Sequence, residues 1–128
     1  MLRSPGLALA SSLLIHPVVA LAAPGDVNAQ AFYADALALQ DKGMTAMFDK
    51  RLKPMMAQMK DAGARVKAEN KAEQKRGRAI YCVPDTMRGK GLSSEKVIVL
   101  LGRVPERERR SMTLVEAWRA AMAREYPC

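Results

Sequence analysis

The chain has 128 residues, with 21 Lys plus Arg against 13 Asp plus Glu, a formal charge of +8, two cysteines and one histidine. That length suits one small domain. The histidine is His16, near the N-terminus; once that segment is removed, Ser-His or Cys-His catalysis, histidine metal sites and histidine pH switching are all excluded.

The first residues, MLRSPGLALASSLLIHPVVALAAPGD, have the layout of a secretory signal peptide. Arg3 supplies a short positive start and Leu7 to Val19 an apolar stretch; Ala20-Leu21-Ala22 fits the small-x-small cleavage rule. His16 and Pro17 interrupt the apolar run, which falls short of the roughly 20 residues a bilayer span needs. The expectation is export, cleavage after Ala22, and a mature chain of residues 23–128 with no stable membrane insertion.

Alanine, methionine, leucine, lysine and glutamate dominate the remainder, which predicts an all-α fold, a small helical domain of about five helices. Asp26-Val27-Asn28 can cap a first helix over 29–42, with Phe32, Ala36, Leu37 and Leu39 on its apolar face and Gly43 at its end. A second stretch carries Met44, Met47, Phe48, Leu52, Met55, Met56 and Met59, and Pro54 either kinks it or starts a new helix. Methionines at helical spacing are expected in the core; an adaptable interface or a copper site are the alternatives, and the Met55, Met56, Met59 spacing lacks a repeated Met-x-x-Met run.

A third helix is expected over the charged stretch KDAGARVKAENKAEQKRGR, running on to Tyr81. Val66 is its only bulky apolar residue before Ile80, so it should bury little, rest on side-chain pairing around Glu69, Lys71, Glu73 and Lys75, and protrude or be mobile. Val83-Pro84 breaks it, and PDTMRGKGLSS reads as a loop. Ser93 or Ser94 then caps a helix with Val97, Leu100 and Leu101 on one face, closed by Gly102. Pro105 suits the start of a short helix with Glu106 and Glu108 in its first turn. The last helix, 112–125, carries Leu114, Val115, Trp118, Ala121 and Met122 as a continuous stripe, with Trp118 as the largest core anchor.

Two cysteines in an exported chain should oxidise, and the one intramolecular pairing is Cys82 with Cys128. An intermolecular bridge through Cys128, or free thiols, are the other arrangements. The intramolecular bridge would close residues 80–128 into one helical unit and leave the N-terminal half without such a clamp.

Positive charge concentrates in residues 60–78 and in RVPERERR, residues 103–110. Such runs are expected as solvated helix faces, or as attraction to an acidic protein or envelope polymer. Export, few aromatics and no recognisable motif argue against nucleic acid. For catalysis there remain Ser93 or Ser94 with Lys96 and the carboxylates Glu106 and Glu108; adjacent carboxylates on a solvent-facing turn have nothing to separate their pKa values, so no enzyme activity and no cofactor or metal is expected.

The order Tyr81-Cys82-Val83-Pro84, loop, Leu92, apolar helix, Pro105-Glu106-Arg107-Glu108-Arg109, Leu114-Val115, alanine-rich helix and final Tyr126-Pro127-Cys128 resembles the Rap/Tai-like immunity proteins of type VI secretion. The resemblance covers residues 80–128 and implies a small exported helical protein of the periplasm, prone to dimerise, that neutralises a peptidoglycan amidase by blocking its cleft. It further implies that the loop at residues 85–91 enters the cleft, with Asp85, Met87, Arg88 and Lys90 as partner contacts. The alternative is a periplasmic helical binding module, chaperone-like, using the methionine face and the basic helix.

Overall fold

A computed structural model describes residues 21–128, so the expected signal segment lies outside the described residues except for Leu21 and Ala22. Five α-helices follow in order: α1 (Ala29–Lys42), α2 (Leu52–Lys75), α3 (Ser94–Gly102), α4 (Glu106–Ser111) and α5 (Leu114–Glu125). Short 3-10 turns occupy Pro24–Asp26, Gly43–Phe48 and Asp85–Met87. The all-α expectation holds, and Cys82 is bonded to Cys128 within the chain.

Side-chain caps set where the helices begin. Asn28 accepts from the Ala31 N–H at 3.0 Å to open α1, Ser93 accepts from Lys96 N–H to open α3, and Thr113 forms a reciprocal capping box with Glu116 at the start of α5. The first N–H of a helix has no partner of its own. Here α1 and α5 satisfy each other: Ala29 N–H donates to the Met112 carbonyl at 2.9 Å, and Leu114 N–H donates to the Val27 carbonyl at 2.8 Å. Asn28 Nδ2 adds a bond to the Arg110 carbonyl at 2.9 Å. The N-terminal half has no covalent clamp, as expected, and is held by these hydrogen bonds instead.

Helix α2 corrects the expected division of the middle of the chain. Pro54 lies in its first turn, where a missing N–H costs nothing. No proline follows, so one 24-residue helix runs from the methionines through the charged stretch. It stops at Lys75 rather than Tyr81, because Gly77 turns the chain with φ +71°, a conformation other residues adopt only with strain. Nor does it protrude along most of its length: Ala62 and Val66 are fully buried, and Glu69 pairs with Arg119 of α5 at 2.7 Å instead of with its own helix. Glu73 pairs with Arg76 and Arg78 at the helix end.

One core holds the helices together. Leu100, Leu101, Val104, Leu114 and Val66 are its largest fully buried side chains, and Trp118 is buried beside them as expected. Leu37, by contrast, lies 37 % exposed, on the edge of the α1 face that buries Phe32, Ala36 and Leu39.

Asn70 explains how the chain beyond α2 stays attached. It is buried, its Oδ1 accepts from the N–H groups of Ile80 (2.8 Å) and Tyr81 (3.2 Å), and its Nδ2 donates to the Tyr81 carbonyl at 3.1 Å. One side chain therefore supplies ladder partners to a segment with no strand beside it. Asn70→Leu should strand two donors and an acceptor and lower stability by on the order of 2 kcal/mol, read by urea unfolding. An unchanged midpoint would show that water replaces these bonds without loss.

Candidate binding face

The expected contact loop leaves the core at Cys82, whose sulfur reaches Cys128 across a Cα–Cα distance of 5.0 Å. The Cys82 N–H also donates to the Tyr126 carbonyl at 2.8 Å, so the last residues and the loop base are fastened twice. Asp85, Arg88 and Lys90 stand in solvent, and Asp85 and Arg88 face each other at 3.0 Å. Met87 is set differently from the other three. It is half-buried, and the Tyr126 hydroxyl points at its sulfur, 3.9 Å away, so it packs the loop against the body while part of it stays exposed.

Beyond the loop the chain enters a concavity the sequence did not announce. Leu92 lines an apolar groove of about 580 Å³ between α1, α2 and α3. Its walls include Phe32 and Leu39 from α1, Met55 and Met59 from α2, and Val97 and Ile98 from α3. A groove of this size is in the range of sites that take ligands or partner side chains.

Here the expectation that the methionines are core filler is corrected. Met55 is buried, but Met44 is 81 %, Met47 68 % and Met56 65 % exposed, with Phe48 at 90 %. Gly43 takes φ +56° and ends α1, so the residues after it wind as a 3-10 turn heading away from the core, and only Ala46 of that turn packs back onto it. Methionine is flexible and polarisable, which suits a surface that adapts to what it binds.

Asp49 fixes the joint between this turn and α2. Its carboxylate, almost covered, accepts from Arg51 N–H, Nε and Nη2 and from Lys42 Nζ, while Arg51 also reaches Asp35 at 3.0 Å. The Arg51 guanidinium first, and then Lys42, hold the Asp49 carboxyl far below the usual carboxylate range. Arg65 also lowers the Asp26 carboxyl, and Lys96 lowers that of Glu125, with Arg103 assisting against partial desolvation. All three carboxyls are depressed relative to ordinary values of 3.8 for Asp and 4.5 for Glu. The folded form then binds fewer protons than the unfolded form in acid. Their stabilisation is complete above the ordinary values and is lost as pH falls through the depressed ones. Tm should be flat from neutral pH to about 5 and fall below about 4, and Asp49→Asn should flatten that fall. An acid limb unchanged in the variant would remove Asp49 from this account.

Of the side chains weighed for catalysis, four have structural partners, and Ser94 lines the groove. Ser93 is a helix cap, Lys96 pairs with Glu125 at 2.9 Å, Glu106 with Arg110 and Glu108 with Arg124. Among the described residues, no group of three or more His, Cys, Asp or Glu side chains is placed to hold a metal ion, and no helix is long and apolar enough to cross a membrane.

Arg109 escaped sequence reasoning because it lies in a charge run expected in water. It is buried, at 6 % exposure. Its Nη1 donates to the carbonyls of Leu101, Gly102 and Val104, its Nε to Gln30 Oε1 at 2.8 Å, and its guanidinium lies 4.1 Å from the centre of the Tyr33 ring. It thereby closes the C-terminus of α3, where unpaired carbonyls and the negative end of the helix dipole favour a cation. No family model, curated protein or solved structure matches the chain.

Proposed function

We propose that this chain is an exported, non-catalytic binding protein of the immunity type, which inhibits a periplasmic peptidoglycan amidase through the face formed by the groove and the adjoining loop. The observation that carries the binding reading is the apolar groove, which exposed Met56 lines, together with exposed Met44, Met47 and Phe48 on the 3-10 turn whose Gly43 and Ala46 also line it. An apolar surface of this kind on a folded protein marks an interaction site. The intramolecular disulfide is compatible with an oxidising compartment and supports periplasmic residence. The amidase as target rests on the resemblance of residues 80–128 to Rap/Tai-like immunity proteins. A loop braced at its base loses less freedom on docking, which favours residues 85–91 as part of the same face.

The test is peptidoglycan cleavage by a purified type VI amidase effector, with and without the purified protein. Inhibition is expected, and Met56→Asp should weaken binding by about tenfold or more, as burying a charge in an apolar contact does. Full cleavage in the presence of excess protein would exclude the amidase reading. The chaperone-like alternative is favoured by the same exposed methionines; it would appear as binding to many unfolded clients with no inhibition.

A further inference from the structure

The groove has a charged flank whose pattern identifies what it accepts. On α2, Lys53, Lys60, Lys67 and Lys71 follow one another at intervals of seven, seven and four residues. That spacing sets them along one side of the helix. Met56, at the groove's rim, lies between the first two, and Lys60 itself lines the groove. All four lysines are exposed. Among the described residues, none of them has a carboxylate within ion-pair distance.

The carboxylates that could have neutralised them are committed elsewhere. Asp61 pairs with Arg65, Glu69 with Arg119, and Glu73 with Arg76 and Arg78. Nine arginines of the described residues are used in internal ion pairs and Arg109 in the core, while these lysines are left to the solvent. The opposite wall of the groove carries Glu95. Charge is therefore one-sided: cationic along α2, anionic at one point of α3.

We propose that the groove holds an amphipathic helix of a partner protein, its apolar side chains seated between Met56, Met59 and Val97 and its carboxylates aligned on Lys53, Lys60 and Lys67. This rests on the groove being the binding face. A helix laid in an apolar groove is a recurrent recognition mode, and a complementary charged rim sets its direction and speeds its capture. A second copy of this chain is disfavoured, because it would bring the same lysines face to face. A bilayer is disfavoured because its surface is broad, whereas this apolar site is a cleft between helices.

Selection from a displayed library of 18-residue helical peptides against the purified protein tests the idea. Selected peptides should be amphipathic and acidic along one flank. Their affinity should fall about tenfold in the Lys53→Glu, Lys60→Glu, Lys67→Glu triple variant at low salt, with a smaller loss at high salt. The substituted side chains are exposed, so this variant should fold. Peptides that bind with no charge preference, or equally to the triple variant, would overturn the acidic assignment and leave the groove as binding face. Peptides indifferent to Met56→Asp would overturn both. Capture by phosphatidylglycerol vesicles, lost in the triple variant and with no acidic peptide selected, would replace the helix with a membrane surface.

Discussion

Removal of the Cys82–Cys128 bridge, by Cys82→Ser with Cys128→Ser or by reduction, should lower the unfolding free energy by about 4 kcal/mol. The two residues are 46 apart in sequence, and a cross-link over that length removes many conformations from the unfolded chain. For a small domain whose whole stability is on the order of 5–15 kcal/mol, the loss is large. The folded ends would still be held by the Cys82 N–H bond to Tyr126 and by Asn70. The reduced protein should therefore remain helical near room temperature, melt lower, and exchange the amides of residues 85–91 faster. Urea unfolding with and without dithiothreitol reads the first effect and hydrogen exchange the second. Coincident unfolding curves would mean that the bridge contributes nothing, and the braced-loop argument would go with it.

Replacement of Arg109 by methionine should cost on the order of 4 kcal/mol. The substitution keeps much of the volume and removes every donor. The carbonyls of Gly102 and Val104 would then lie against apolar atoms, Gln30 would lose its partner, and Tyr33 its cation. Each buried polar group left alone costs about 1–3 kcal/mol, which is why the sum exceeds an ordinary surface substitution. Arg109→Lys should recover only part of the loss, because one ammonium cannot reproduce the planar fork that spans carbonyls and Gln30 together. Denaturant midpoints for both variants decide the matter. A methionine variant as stable as the parent would show that the α3 terminus is satisfied by water.

The two effects differ in how visible they were beforehand. The disulfide followed from counting cysteines in a chain expected to be exported. Arg109 did not, since RVPERERR reads equally well as a solvated turn, and Arg107 and Arg110 within it are indeed exposed. Nothing local separates the three. What selects Arg109 is Gln30, 79 residues away, together with Tyr33 and the end of α3. Asn70 is similar: an asparagine among lysines and glutamates suggests a polar helix surface until Ile80 and Tyr81 fold back upon it.

The candidate site divides the same way. The loop at residues 85–91 was visible from its glycines and proline, while the inward turn of Met87 depended on Tyr126. The methionines were visible as a cluster, but helical spacing alone assigned them to the core. The exposure of Met44 and Met47 depends on Gly43 ending α1 and redirecting the chain.

By itself, then, the amino-acid order determined the helical class, a cap within Asp26 to Asn28 and another at Ser93 or Ser94, the apolar stripe of α5 and the one pairing the thiols could make within the chain. These depend on forces acting within a few residues, or on there being only one intramolecular pairing to make. Tertiary structure alone decided which methionines meet water, which arginine is buried, and that three helices leave a groove between them. Burial is a property of surfaces brought together from distant parts of the chain, and no window along it contains both sides of the contact.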